Sequence, residues 1–198
     1  MTDRERHPQP LPLLTWLAVK GLASDDDIAR RLGADPAISS LLRQLVTDGV
    51  VEHQAGFFVL TEHGDQTLSS GCRDALSASE QDEFAAFLPA FESIDAELKR
   101  VATQWQLANR RAQDGHDDAV LDAVEALLHV DGLLRETSRA SAAVVGEVLS
   151  PYLDALDSAR EAVVSGAPSA FTGADDASYH SVWFVMHEII LRTAGRSR

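Results

Sequence analysis

Three histidines in the second half of the chain are the residues best suited to bind a metal ion. His180 and His187 lie seven positions apart, which places them on one face of a helix, and Glu188 follows directly. His129 belongs to another predicted helix, so the three would meet only if the two helices pack together. The spacings typical of zinc sites, His-Glu-x-x-His or paired cysteines, do not occur in the sequence. We therefore interpret these groups as polar residues bordering a core or a ligand pocket, and we expect no metal or other cofactor.

Five aromatic residues could line an apolar cavity between helices: Trp105, Phe171, Tyr179, Trp183 and Phe184. Trp105 and Tyr179 each add a polar tip to an apolar wall, so they are the best candidates to orient a small-molecule effector. Trp183, His180 and His187 complete the candidate pocket. Ordinary core packing explains the same residues, and we favour it. A cavity would instead make the protein responsive to a ligand.

The sequence lacks the motifs of common enzymes. It has no Gly-x-Ser-x-Gly, no phosphate-binding glycine-rich loop and no nucleophile with a base nearby. The single cysteine, Cys72, cannot form an internal disulfide, which fits a reducing cytoplasm. Only Arg73 beside it would lower its pKa, so a passive thiol is favoured over a redox sensor. We expect a cytoplasmic protein that is not an enzyme; catalysis through the three histidines is kept as a third hypothesis.

Composition and charge limit the classes of partner. The chain has 198 residues, 45% hydrophobic and 24% charged, with a formal net charge of -14. We expect neither a membrane-spanning helix nor a signal peptide, because no apolar run is long enough. Residues 11–70 contain four basic and eight acidic side chains, and residues 76–198 contain ten and twenty. The excess of acidic over basic side chains argues against strong non-specific nucleic-acid binding. Most of that affinity comes from basic side chains that neutralise phosphates.

Caps and stops predict three helices near the N-terminus. The first covers residues 11–21. Ser24 is a typical N-cap for the second, whose first turn holds three aspartates at the positive end of the helix dipole, and Gly33 ends it. Asp35 caps the third, which has proline at its first position and stops at Gly49. The aspartates are therefore interpreted as helix-terminus residues rather than as a metal site.

A β-hairpin follows these helices. The segments VVEHQ and FFVLTEHG predict two short strands around a loop of about three residues, Gln54-Ala55-Gly56. Thr61 then starts a further helical stretch towards Leu68. The order is helix, helix, helix, strand, wing, strand, helix. That order predicts a winged helix-turn-helix domain over residues 11–70.

Residues 79–195 predict a helical bundle for dimerisation and effector binding. Its first helix has apolar residues at alternating gaps of three and four: Phe84, Phe87, Phe91, Ile94, Leu98, Val101 and Trp105. Pro89 predicts a kink or a restart of that helix. Helices are also predicted at about 117–137 and 138–165, and a last one after the cap Ser178, with a loop at 165–177. The fold class is thus mainly α: a winged helix with a small hairpin wing, then a helical bundle.

The apolar row from Phe84 to Trp105 must pack against another apolar surface. Later helices of the same chain could supply it, or a second copy across a two-fold axis. We favour the second arrangement, a homodimer.

The N-terminal segment DDDIARRLGADPAISSLLRQLVTDGVVEHQAGFFVLTEHG resembles the winged-helix domains of MarR-, PadR- and ArsR-type bacterial transcription regulators. In those families Leu-Ala-x-x-Leu-Gly precedes Leu-x-x-x-Gly-Leu-Val, and the wing closes on Leu-Thr-x-x-Gly. The corresponding segments here are IARRLG (28–33), LVTDGVV (45–51) and LTEHG (60–64). The similarity covers less than a third of the chain.

The resemblance implies that the exposed face of the third helix enters the major groove of DNA. The residues carried over as contacts are Ser39, Ser40, Arg43, Gln44 and Thr47. Arg43 would bind guanine and Gln44 adenine.

Phosphate contacts have fewer candidates. The wing tip is neutral, where the families often carry Arg or Lys. Arg30 and Arg31 in the second helix are therefore the best phosphate ligands.

The sequence thus predicts a regulator that binds operator DNA as a dimer. The alternative is a winged-helix interaction module that regulates a partner protein without touching DNA, which the neutral wing and the acidic surface favour. Basic potential over the third helix would support the first hypothesis.

Overall fold

The structure is a computed structural model that describes residues 10–32, 36–112, 118–167, 169–173 and 175–196. It is mainly helical, with a small three-stranded antiparallel sheet. The chain divides into two compact units. The N-terminal unit comprises Met1–Ala75 with Gly195–Arg198, and the helical unit comprises Leu76–Ala194. Within the described residues, no helix is both long enough and apolar enough to cross a membrane.

The described residues of the N-terminal unit form four helices and the sheet. Its elements are α1 (Pro10–Lys20), β1 (Ala23–Ser24), α2 (Asp25–Leu32), α3 (Pro36–Thr47), β2 (Val51–Gln54), β3 (Phe57–Leu60) and α4 (Glu62–Asp74). The strand order is β1-β3-β2, with β3 antiparallel to both neighbours. Helix α1 packs against α4 and β3, and α3 packs against β2. The apolar core of the unit includes Leu14, Leu17 and Leu68, all fully buried.

The start of α2 confirms the N-cap predicted at Ser24. Its hydroxyl accepts a hydrogen bond from the Asp27 backbone N–H at 3.1 Å, and the Asp27 carboxylate accepts from the Ser24 N–H and hydroxyl at 3.0 and 2.8 Å. These hydrogen bonds, from the Ser24 hydroxyl first, lower the pKa of Asp27 to about 2. Strand β1 was not predicted, because two residues carry no periodicity. Helix α3 begins at Pro36; the predictions for Gly33 and Asp35 lie outside the described residues.

The hairpin turn is tighter than the sequence suggests. Gln54 pairs with Phe57 across the strands, so only Ala55 and Gly56 form the loop. Their φ angles are 54° and 81°. Two positive φ values are the mark of a type I′ turn, whose twist matches that of the flanking strands. The three-residue loop was wrong because Gln54 continues the ladder of β2.

Helix α4 begins in a clamp formed by Thr61 and Gly64. The Thr61 hydroxyl accepts from the Gly64 N–H at 3.0 Å and donates to the Gly49 carbonyl at 2.7 Å. A Cβ at position 64 would overlap the carbonyl oxygen of Val50. Threonine and glycine at this spacing therefore fix α4 against the turn after α3.

The described residues of the helical unit form five helices. They are α5 (Ala78–Ala112), α6 (Asp118–Ala140), α7 (Ala143–Val164), α8 (Ser169–Thr172) and α9 (Tyr179–Thr193). Helix α5 continues through Pro89, and α7 through Pro151. The Ser178 hydroxyl accepts from the Ser181 N–H at 3.3 Å, which confirms it as the cap of α9. The loop predicted at 165–177 contains α8, a short helix that inserts Phe171 into the core.

The apolar row of α5 is buried within its own unit. All seven residues from Phe84 to Trp105 are at most 6% exposed. Helix α5 packs against α6, α7 and α9, which supply the counterpart that the row requires. The sequence left open whether this row packs within its own chain or against a second copy. In the structure it packs within its own chain. Any dimer must therefore use another surface.

Candidate functional site

Helix α3 presents the side chains that the family resemblance selects. Five of them are exposed: Ser39, Ser40, Arg43, Gln44 and Thr47. On the opposite side, Leu42 and Leu45 are buried, which anchors the helix in the N-terminal unit. The predicted contacts are thus together on one accessible helix.

Hydrogen bonds already engage part of this face. Arg43 Nε donates to the Ser39 carbonyl at 3.3 Å, and the Thr47 hydroxyl donates to the Arg43 carbonyl at 2.9 Å. Gln44 Nε2 donates to Asp48 Oδ1 at 2.9 Å. One amide hydrogen of Gln44 is therefore donated to the exposed Asp48 carboxylate, at the end of the same face.

The cations beside α3 are few. Arg30 Nη1 lies 3.1 Å from Asp27 Oδ1, and Lys20 Nζ lies 3.5 Å from the same atom, so the two cations share the single negative charge of Asp27. Arg31 and Arg43 are exposed. Helix α2 thus offers Arg31 for a phosphate more readily than Arg30.

An open groove of about 700 Å³ runs between α2, α3 and the hairpin. Its apolar lining is Ile28, Ala29, Ile38, Leu42, Val46 and Phe58. Ser39, Arg43 and Thr47 also line it, so the groove shares three residues with the predicted DNA-binding face. Analysis of residue types alone did not reveal the groove, because it depends on how α2 and the hairpin flank α3.

The aromatic candidates for an effector pocket pack against one another. Trp105 contacts Phe171 with ring centroids 5.3 Å apart, Phe171 contacts Tyr179 at 6.0 Å, and Tyr179 stacks on Trp183 at 6.1 Å. All four side chains are at most 2% exposed. Phe184 lies elsewhere, half-buried and 4.2 Å from the His180 ring.

Two buried aspartates bind polar tips of this aromatic group. The Tyr179 hydroxyl donates to Asp131 Oδ1 at 3.0 Å, and Trp183 Nε1 donates to Asp95 Oδ1 at 2.9 Å. Trp105 Nε1 is buried and has no hydrogen-bond partner among the described residues. Neither aspartate was predicted from the sequence. The sequence did contain a signal for them, because each aspartate interrupts the apolar side of its helix; Asp95, for example, directly follows Ile94.

Asp131 is the centre of an ionic cluster between α6 and α7. Its carboxylate accepts from Arg135 Nε at 2.8 Å and from Arg160 Nη1 at 2.7 Å. Both arginines also reach Asp157, at 3.0 and 2.6 Å. Burial by itself would raise the pKa of Asp131, but the hydrogen bonds from Arg135 and Arg160 outweigh it and lower the pKa below its ordinary value.

The three histidines are not gathered into a site. His129 is exposed on α6, and burial lowers the pKa of His180. His187 Nδ1 lies 3.5 Å from Asp95 Oδ1. Among the described residues, no group of three His, Cys, Asp or Glu side chains is placed to hold a metal ion. The histidine-based enzyme hypothesis therefore has no assembled centre in that part of the chain.

Cys72 lies on α4 and is 5% exposed. A redox-sensing thiol needs access to an oxidant, so this burial favours the passive interpretation.

Neither a protein-family model, nor a curated protein, nor a solved structure matches the chain. Function is therefore inferred from the side chains and their arrangement.

Proposed function

We propose that the N-terminal unit is a winged helix-turn-helix that binds double-stranded DNA through α3, and that the chain is a cytoplasmic transcription regulator rather than an enzyme. The order α1, β1, α2, α3, β2, β3, α4 supports this assignment. The strand order β1-β3-β2 and the packing of α3 against β2 also support it.

The observation that carries the proposal is the exposed polar face of α3. The helix has 12 residues, hence a length of about 18 Å. The major groove admits one α-helix and offers donors and acceptors that arginine, glutamine and hydroxyl side chains can bind. Arg43, Gln44 and Ser40 lie on the exposed side, while Leu42 and Leu45 hold the helix from behind.

The sparse positive charge defines the kind of DNA binding to expect. Asp27 offsets Arg30, and the turn of the hairpin is Ala55-Gly56, without charge. Each neutralised phosphate contributes roughly -0.9 to the slope of log K against log salt. With two or three phosphate contacts in each copy, the slope is about -2 to -3 for each copy and roughly -4 to -5 for the dimer, and affinity for random DNA is low.

The helical unit is proposed to hold two copies together. Operators with two half-sites require a dimer, and the buried α5 row leaves this role to another surface. The close contacts among Trp105, Phe171, Tyr179 and Trp183 favour a structural role for these rings over an effector pocket.

A second candidate function has one observation in its favour. The groove between α2, α3 and the hairpin is mainly apolar, which suits a partner protein's side chains better than phosphates. In this alternative the N-terminal unit regulates a partner protein and does not bind DNA.

Selection of bound fragments from random DNA, at low and at physiological salt, separates the two candidates. A two-fold symmetric motif that survives physiological salt supports the regulator, and Arg43→Ala should abolish it. Arg100→Ala is the matched control, because Arg100 is an exposed arginine of the helical unit. No enrichment at either salt would contradict DNA binding by this chain alone.

A further inference from the structure

Helix α6 has a second row of residues with heptad spacing, on its exposed side. We call it the outer row: Asp118, Leu121, Glu125, Leu128, Gly132, Arg135 and Arg139. The gaps alternate between three and four, as in a helix that packs along a partner helix. Leu121 and Leu128 are 63% and 41% exposed, whereas a leucine at such a position is normally covered.

Apart from Arg135, which belongs to the ionic cluster between α6 and α7, the fold of the helical unit does not use this row. The core side of α6 consists of other residues, including Ala123, Leu127, Val130 and Leu134, all at most 2% exposed. Of the outer row, only Arg135 is half-buried, and the rest is exposed. Two exposed leucines two turns apart therefore mark a face available to a partner.

We infer that a second copy of this chain docks on the outer row, with the two α6 helices antiparallel about a two-fold axis at Leu128. Charge order selects this arrangement. The row begins with Asp118 and Glu125 and ends with Arg139. Antiparallel pairing sets Asp118 of one copy against Arg139 of the other. Parallel pairing would set like charges opposite each other at all four charged positions of the row, which is unfavourable.

Gly132 and Arg135 also suit the antiparallel pairing of the two α6 helices. Gly132 faces Glu125 of the second copy, and a Cβ at position 132 would meet nothing within 4 Å in its own chain. A glycine inside a helix costs roughly 0.5–1 kcal/mol relative to alanine, so space for a neighbouring helix gives it a purpose.

Leu121 faces Arg135 of the second copy. Asp131 and Asp157 of the same chain bind the guanidinium of Arg135. Because these ion pairs fix the side chain, its aliphatic CH2 groups form an ordered apolar surface for Leu121.

This inference rests on the proposed function only in requiring a dimer, and its test needs no DNA. The first measurement is sedimentation equilibrium of the full chain. Leu128→Lys should raise the dimer dissociation constant at least tenfold. Leu107→Lys is the control, because Leu107 is 47% exposed on α5 and lies outside the outer row. Circular dichroism verifies that both variants remain helical.

Cross-linking tests the antiparallel register. In a Cys72→Ser background, chains with Asp118→Cys are mixed with chains carrying Arg139→Cys and mildly oxidised. Disulfides should form between the two variants and not within either one alone. Positions 118 and 139 are about 32 Å apart along one helix, and a disulfide needs Cα atoms within roughly 7 Å.

Three outcomes would overturn the inference: a monomer at every concentration, a dimer that Leu128→Lys leaves intact, or cross-links between two Asp118→Cys chains. Recovery of a two-fold symmetric DNA motif together with the second or third outcome would leave the proposed function standing and remove only this interface. A monomer at every concentration would also contradict the proposed dimer.

Discussion

The Tyr179 hydroxyl donates to Asp131 Oδ1 across 3.0 Å in the interior of the helical unit. One turn further along α9, Trp183 makes the same kind of bond to Asp95, at 2.9 Å. Helix α9 is thus joined to α6 and to α5 by two aromatic donors that end on buried carboxylates. Carboxylates in a core are tolerated only when paired, which makes these bonds a sensitive point of the fold.

The first prediction compares the two ends of the Tyr179–Asp131 bond. Tyr179→Phe removes one neutral donor and should lower the free energy of unfolding by about 1–2 kcal/mol. Asp131→Ala should cost about 3–5 kcal/mol, because it also strips the carboxylate from Arg135 and Arg160. Urea unfolding of both variants measures the difference, with Glu136→Ala as an exposed control on α6. Equal losses would show that the arginine contacts contribute little.

The second prediction concerns acid stability. The pKa of Asp131 is lower in the folded chain than in the unfolded one, so its contribution is complete above the unfolded value, near 3.9. That contribution is lost as the pH falls through the folded pKa. Wild-type stability should therefore decline below about pH 4. Asp131→Asn should start less stable at neutral pH and decline less in that window. Urea titrations from pH 2.5 to 7 test this, and parallel curves would contradict it.

The third prediction explains the Leu-Thr-x-x-Gly segment in physical terms. Gly64→Ala puts a methyl group onto the Val50 carbonyl oxygen, a backbone atom that cannot move without shifting the hairpin. We expect a loss of about 3 kcal/mol, the upper end of the range for over-packed sites, because the overlapping atom belongs to the backbone. Gly132→Ala is the matched control, because its new methyl group meets only open space in the chain. Thermal unfolding followed by circular dichroism measures both, and the control should equal or exceed wild type when monomeric.

Much of the fold follows from local patterns. The α5 row and the caps at Ser24 and Ser178 were predicted from spacing and residue type, and the structure confirms them. Periodicity works there because each pattern reports a helix face or a helix end. Strand β1 and helix α8 were not predicted, because segments of two and four residues are too short to show a periodic pattern.

The sites were harder to predict than the fold. Asp131 and Tyr179 are 48 positions apart, and Asp95 and Trp183 are 88 apart. No local pattern indicates which helices will bring such pairs together. The same limit applies to the groove beside α3, whose lining comes from three elements.

The fourth prediction concerns the hairpin turn. Ala55 has a φ of 54°, which a residue with a Cβ adopts at a cost of about 1 kcal/mol. Asparagine is favoured at this position of a type I′ turn, ahead of glycine. Ala55→Asn should therefore stabilise the N-terminal unit by roughly 0.5–1 kcal/mol, whereas Ala55→Val should destabilise it. Urea unfolding followed by circular dichroism measures both changes, and equal stability of the two variants would contradict the I′ conformation.

The fifth prediction tests whether α3 approaches DNA. Asp48 lies just beyond the C-terminus of α3 and holds the Gln44 amide at 2.9 Å. Asp48→Asn removes a negative charge that would repel phosphate and loosens its hold on Gln44. It should also favour the fold slightly, because an acid is unfavourable at the negative end of a helix dipole. We expect three- to ten-fold tighter binding to the selected DNA motif, measured by fluorescence anisotropy. Asp82→Asn, an exposed change of the same type on α5, should leave affinity unchanged. If both variants bind like wild type, α3 does not face the phosphate backbone, and the groove-based interaction with a protein becomes the better account of the N-terminal unit.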